Sequence, residues 1–232
     1  MTFPDLFDEF RTAVLPGGAS DPTLSNLESV ARYTSAREGD APFNGIGVDQ
    51  IVFIAGGSTK LVAHVSQGRE QVVAFHFRGD LVSVPASAAH AYTLCALEDC
   101  ELVFFPADDF LQIAQQEPHL VITILERTLR SLARSREKSV ALGRKTAEER
   151  LASFLVTMAE RIGWSRDGAV ELDLIMSRRD IGDSLGLTIE TVSRQLSELR
   201  NACLIETSGR SRFRLLDLPS LHRRAGHLEL AG

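Results

Sequence analysis

Between Pro118 and Gly143 the chain runs HLVITILERTLRSLARSREKSVAL without a glycine or a further proline. Such a stretch predicts one long helix, with Pro118 tolerated in its first turn. Within it Ile122, Leu125, Leu129 and Leu132 recur at spacings of 3, 4 and 3, so they form a single apolar stripe. Arg127, Arg130, Arg134 and Arg136 lie off that stripe. The stripe must pack on something. It either covers the chain's own preceding domain or forms a short coiled-coil seam between two subunits, a seam that Ser135 and Ser139 dilute near its end.

The long helix divides two different textures. From Glu28 to about Pro106 short runs rich in Val, Ile, Phe and Thr are broken by turn residues: Gln50–Ala55, Ser58–Val65, Glu70–Phe77, Asp80–Val84, Ala91–Leu97 and Glu101–Phe105. Turn signals at Ala55-Gly56-Gly57, Ser66-Gln67-Gly68 and Arg78-Gly79-Asp80 look like hairpins, and the spacing predicts a sheet-rich sandwich or barrel. The residues before it, with Pro4, Pro16, Gly17, Gly18 and Pro22, read as a loose arm holding one short helix-like piece, LFDEFRTAV. The expected organisation is an arm at 1–27, a strand-rich domain at 28–115, the helix at 116–144 and a further domain at 145–232, which opens with a helix from Ala147 to about Gly163.

The most informative stretch of that last domain is SRRDIGDSLGLTIETVSRQLSELR, residues 177–200. It reads as two helices around a turn: Ser177 caps the first, Gly186 ends it, and Thr188 caps the second. Ile181 and Leu185 face inward from the first helix, and Val192, Leu196 and Leu199 from the second. The outward face of the second helix then carries Glu190, Ser193 and Arg194. In a DNA-binding helix-turn-helix that region meets base edges in the major groove. A carboxylate accepts from the cytosine amine, a guanidinium pairs with O6 and N7 of guanine, and a serine contacts either kind of edge. Glu190 and Arg194, four apart, could instead be an ordinary surface ion pair. Beyond Asn201 the runs CLIET and RFRLL, joined through Ser208-Gly-Arg-Ser, predict a hairpin with a basic tip. Arg210 and Arg212 there, with Arg178, Arg179, Thr188 and Thr191, are candidates for phosphate contact.

The net charge of −6 by itself opposes a nucleic-acid partner, but its distribution matters more than its sum. Residues 1–144 carry 12 Lys/Arg against 18 Asp/Glu, and 145–232 carry 13 of each. A basic cluster by itself is usually a solvated face, so charge alone decides nothing. With no run approaching a membrane span and an acidic start, MTFPDLFDEF, the expectation is a cytoplasmic protein with no membrane partner. Three cysteines, Cys95, Cys100 and Cys203, suit reduced thiols rather than a disulfide framework. No nucleophile triad, phosphate-cradling glycine loop or paired-carboxylate signature supports catalysis, so the chain is not expected to be an enzyme.

The stretches RDIGDSLGLTIETVSR at 179–194, AEERLASF at 147–154 and EQVVAFHFRGDL at 70–81 resemble the CRP/FNR family of bacterial transcription regulators, within it the FNR/FixK branch. The resemblance runs from about residue 30 to 220 and implies an α+β fold: a cyclic-nucleotide-binding-type β-roll, a long dimerisation helix and a C-terminal winged helix-turn-helix. It promotes Ile122, Leu125, Leu129 and Leu132 to a dimer interface. It also implies RNA polymerase and a palindromic double-stranded operator as partners, since Glu190, Ser193 and Arg194 match the E-x-x-S-R pattern of members that read TTGAT-type half-sites. Cyclic-AMP-binding members hold the phosphate with Gly-Glu and Arg-Ser or Arg-Thr pairs, yet Leu81–Leu97 contains neither Glu nor Arg. Oxygen-sensing members hold an iron–sulfur cluster with N-terminal cysteines, yet none precedes Cys95. Neither ligand is expected, nor any other cofactor or metal.

Three alternatives accompany this reading. A haem- or redox-sensing member of the same family would use a barrel His or Cys as ligand, or Cys203 as a switch. Cys203 otherwise reads as a small buried residue beside Leu199 and Leu204. A β-barrel enzyme with a DNA-binding tail would need a His-x-His pair that His64, His76 and His90 do not supply.

Overall fold

Two helices, Phe3–Val14 (α1) and Asp21–Val30 (α2), open the chain. Seven strands follow: Arg32–Ala36 (β1), Gln50–Gly56 (β2), Ser58–Ser66 (β3), Arg69–Phe77 (β4), Leu81–Val84 (β5), Ala91–Ala96 (β6) and Cys100–Pro106 (β7). A short helix, Ala107–Ala114 (α3), leads into the long one, Pro118–Arg144 (α4). The computed structural model describes residues 2–43, 47–66, 68–86 and 88–226. They divide into two units, Met1–Ala133 and Arg134–Gly232, with the boundary inside α4 rather than after it.

The strands of the first unit form two antiparallel sheets, ordered β1-β7-β2-β5 and β4-β3-β6. Strand β2 buries four consecutive residues, Val52 to Ala55. Because side chains alternate along a strand, both faces of its sheet must be covered. Val52 and Ile54 pack with Val82, Val84, Leu94, Ala96 and Leu102 between the sheets. Phe53 and Ala55 face the other way with Val103 and Phe105, against Leu6, Phe10, Val14, Leu27 and Phe110 of the helices. The expected loose arm at 1–27 is therefore corrected: α1 and α2 are part of the core. Leu6, Phe10 and Val14, each four apart on α1, are fully buried, and the Phe10 and Phe105 rings sit 4.9 Å apart.

Of the three expected hairpins, the turn between β3 and β4 is one, with Ser66 opposite Arg69; its Gln67 lies outside the described residues. The other two carry the chain between sheets, since β2 pairs with β5 and β7 while β3 pairs with β4 and β6. The first crossover turns at Gly57, with φ +78, where a Cβ would stand 2.4 Å from the Asp99 carbonyl oxygen and 2.7 Å from Cys100 Sγ. Gly57→Ala should destabilise the β-roll by about 2–4 kcal/mol, combining a left-handed backbone penalty with overpacking. A urea midpoint unchanged from the parent's would contradict this.

Helix α4 serves its own unit with one side. Leu120 is fully buried, Ile124 packs against the helical core, and the Arg127 guanidinium donates to the Gly79 and Ala13 carbonyls at 2.8 and 2.6 Å. The stripe lies elsewhere on the helix. Ile122, Leu125, Leu129 and Leu132 are 53, 55, 54 and 42% exposed, so the chain's own barrel does not cover them.

In the second unit the end of α4 is followed by Ala147–Ile162 (α5), a hairpin of Trp164–Arg166 (β8) and Ala169–Asp173 (β9), then Arg178–Leu185 (α6) and Ile189–Asn201 (α7). A second hairpin, Ile205–Ser208 (β10) with Arg212–Leu215 (β11), and the helix Leu218–Arg224 (α8) complete it. The sheet order β10-β11-β9-β8 joins both hairpins. Three helix ends meet at Arg150, whose guanidinium donates to the carbonyls of Leu142, Lys145 and Leu185 at 2.8, 3.0 and 3.0 Å. Nearby, Lys138 Nζ donates to Ser184 Oγ at 2.8 Å. Burial lowers the Lys138 pKa from 10.5 to about 8. The unfolded chain therefore binds the extra proton between these values, and stability rises with pH across that window. Lys138→Met should remove this rise, measured as the difference in Tm between variant and parent from pH 7.5 to 10.5. An identical pH profile in the variant would refute the assignment.

Candidate nucleic-acid interface

The first helix of the motif, α6, starts on a reciprocal cap. Ser177 Oγ accepts from the Asp180 N–H, while the Asp180 carboxylate accepts from the Ser177 N–H at 2.9 Å. The helix ends at Gly186 in the left-handed region, with φ +64. At Gly182 the turn folds back so closely that a Cβ would stand 2.6 Å from the Leu187 carbonyl oxygen. Thr188 then caps α7, its hydroxyl accepting from the Thr191 N–H at 3.2 Å. Ile181 and Leu185 of α6 and Val192, Leu196 and Leu199 of α7 are buried as their spacing predicts. This anchoring leaves Glu190 and Arg194 exposed and Ser193 half-buried on the outward side.

Their chemistry in the free chain departs from the expectation in one respect. Glu190 does not pair with Arg194. Its own backbone N–H and the Thr188 hydroxyl hold its carboxylate below the usual range, which keeps it ionised and able only to accept. Arg194 leans the other way, its Nε 4.0 Å from Glu198 Oε1, and stays 66% exposed. A pair so long and so solvated costs little to break. Ser193 Oγ accepts from Arg178 Nη1 at 3.1 Å, so one phosphate candidate is joined to a base-reading candidate. The Thr188 and Thr191 hydroxyls lie 3.1 Å apart at the cap.

The predicted wing is present, with Ile205 opposite Leu215 and Ser208 opposite Arg212. Arg210 at its tip, Arg212 and Arg179 are exposed. Arg214, the next arginine along β11, pairs with Glu206 at 3.5 Å. Two contributors lie outside the predicted contact set. Arg200 links α7 to the wing, donating to Ser197 Oγ at 2.9 Å and Thr207 Oγ1 at 3.5 Å. The β8–β9 hairpin was also missed, although Asp167-Gly168 is a strong hairpin signal and both residues have positive φ, 49 and 76. Cys203 is corrected from a buried to an exposed residue: it ends α7 in the left-handed region, with φ 55, which turns its side chain outward while Leu204 takes the buried place.

In the β-roll, His64 Nε2 lies 2.7 Å from Thr93 Oγ1 and its Nδ1 3.2 Å from Glu70. Among the described residues, no three His, Cys, Asp or Glu side chains gather as a metal set.

Comparison with known proteins decides the family. Residues 149–224 match the Crp-like helix-turn-helix domain and residues 44–117 the cyclic nucleotide-binding domain. The transcriptional activator protein FnrL of Cereibacter sphaeroides is 33% identical over 208 residues, covering 88% of this chain and 84% of that protein. The chain belongs to the CRP/FNR family. Within this family the nitrogen fixation regulation protein FixK of Azorhizobium caulinodans is 34% identical over 176 residues, 75% of this chain and 71% of its own. The solved structure of FixK2 from Bradyrhizobium japonicum superposes with a TM-score of 0.73 at 31% identity, covering 84% of this chain and 96% of that one. Membership of the CRP/FNR family makes the chain a DNA-binding transcription regulator of FixK-like type, and the barrel-enzyme alternative falls. No helix among the described residues is long and apolar enough to cross a membrane.

Proposed function

We propose that the protein is a homodimeric regulator that reads a palindromic TTGAT-type operator through Glu190, Ser193 and Arg194, without cyclic nucleotide or iron–sulfur cluster. The observation that carries this reading is the outward face of α7, where an ionised carboxylate, a hydroxyl and an exposed guanidinium stand together while the opposite face is locked into the core. The uncovered stripe on α4 supports the dimer, which would set two recognition helices about one helical turn apart on DNA. The FnrL relative is named a transcriptional activator, which supports activation here, with RNA polymerase as the expected partner.

The residues present do not fit a cyclic nucleotide. The segment from Leu81 to Leu97 offers no Arg or Glu for the phosphate, and its Val82, Val84, Leu94 and Ala96 belong to the apolar interior. They do not fit an iron–sulfur cluster either: Cys100 is buried, donates to the Ser58 and Glu98 carbonyls, and has its pKa raised by burial.

Fluorescence anisotropy with metal-free protein, on a TTGAT-type palindrome and a scrambled duplex at two salt concentrations, tests the reading. Preference for the palindrome without additive supports it; equal binding to both overturns it. Arg210→Ala at the wing tip should weaken both duplexes alike and lower the salt slope by about 1. A redox-responsive form has one supporting observation, the exposed Cys203. Loss of operator binding on mild oxidation, abolished in Cys203→Ser, would establish it, and an equal response in both proteins would dismiss it.

A further inference from the structure

Arg178 occupies the first position of α6, yet its side chain reaches the recognition helix, where Nη1 donates to Ser193 Oγ at 3.1 Å. The backbone beneath Ser193 is held as well. Ser197 Oγ donates to the Ser193 carbonyl at 3.0 Å, and Arg200 donates to Ser197 Oγ while also reaching Thr207 of the wing. The middle of the reading face is thus bracketed by one arginine from the preceding helix and another tied to the wing.

A free serine hydroxyl carries one donor and two acceptor sites and rotates to suit, so it meets any base edge with little preference. A guanidinium donating into the oxygen changes this. It occupies an acceptor site, places positive charge beside the oxygen and polarises the O–H bond, making the hydroxyl a better donor and a poorer acceptor.

We propose that Arg178 is a positioning residue for sequence discrimination, which fixes Ser193 as a hydrogen-bond donor toward the base edge. Ser193 then selects an edge that accepts in the major groove, such as thymine O4, purine N7 or guanine O6, and rejects the exocyclic amine of cytosine. The forked guanidinium suits the task because one N–H can hold Ser193 while others face a phosphate. The compact ammonium of lysine can serve the phosphate alone. The neighbouring Arg179, also exposed, provides the comparison for a contact with the backbone only.

The inference rests on Ser193 being a base-reading residue, and the test separates the two ideas. Binding of the full chain is measured on operators carrying each of the four bases at the half-site position where Ser193→Ala changes preference. Ser193→Ala should lower discrimination against cytosine there by about 10-fold. Arg178→Ala should lower it by a similar factor, and the double variant should lose no more than either single one. Arg178→Lys should recover most of the binding to scrambled duplex that Arg178→Ala loses, yet recover none of the discrimination. Arg179→Ala should weaken all operators equally. If Arg178→Ala also weakens all four equally, and Ser193→Ala retains its full effect in that background, Arg178 is a phosphate contact and the proposal is overturned. If Ser193→Ala changes no preference while the parent still selects the palindrome, the proposal falls and the operator reading through Glu190 and Arg194 stands. A parent that fails to select the palindrome takes both readings with it.

Discussion

Changing Leu125 and Leu129 together to glutamate should turn the protein into a monomer in analytical ultracentrifugation and weaken operator binding by at least about 100-fold. Both side chains are about half exposed in the single chain, as are Ile122 and Leu132, so a seam between two copies would cover eight such groups. Covering the remaining half of each is worth about 1 kcal/mol, and each 1.4 kcal/mol changes the association constant tenfold. Four glutamates in the dimer reverse the sign, since each buried carboxylate costs several kcal/mol in lost hydration and they repel one another. The operator loss follows from geometry: without the seam the second half-site is no longer met at high effective concentration. Folding should survive, because Leu120, Ile124 and Arg127 anchor α4 to its own unit from a different side. A dimer with intact operator binding in this variant would rule out the stripe as the seam.

Arg194→Ala should cost about 1–3 kcal/mol on the operator, which is about 5- to 150-fold in Kd, and relax preference at a single guanine. The guanidinium is available for that guanine because its partner in the free chain, Glu198, lies at the limit of an ion pair and both groups are well solvated. Arg194→Lys should recover little of the loss, since an ammonium cannot match O6 and N7 together. Equal loss on operator and scrambled duplex would make Arg194 a phosphate contact instead.

The sequence displays these two surfaces unequally well. Motif residues 177–200 are legible because local chemistry fixes them: Ser177 and Thr188 must cap, Gly186 must turn, and the 3.6-residue period decides which side chains remain outside. The strands of the β-roll are legible by composition, but their connections are not. Gly56-Gly57 marks a turn in any topology, and nothing local distinguishes a hairpin from a crossover between sheets. The misread arm had a signal in two places. Leu6, Phe10 and Val14 are spaced as a helix face, and the unbroken apolar run from Ile51 to Ala55 already requires cover on both sides of its sheet. Prolines and glycines around that helix outweighed the pattern. At Cys203 the error lies in assuming that a small apolar residue between Leu199 and Leu204 continues the buried stripe; a chain that reverses in the left-handed region puts its reversing side chain outside. The Arg178–Ser193 contact, between residues fifteen apart on different helices, is beyond any local rule.

Arg150 has a consequence for how the second unit comes apart. A single guanidinium satisfies carbonyls at the end of α4, in the linker before α5 and at the end of α6, acceptors that the helices leave without partners of their own. Opening any one of these segments strips hydrogen bonds from a charged group half-hidden among the others, so partial opening gains little chain entropy for what it loses. Amide protons at the three sites should therefore exchange with solvent through one opening of common free energy, as a single cooperative block. Transient fraying of the last turn of α4, ordinary in an isolated helix, is then suppressed where the chain enters the recognition motif.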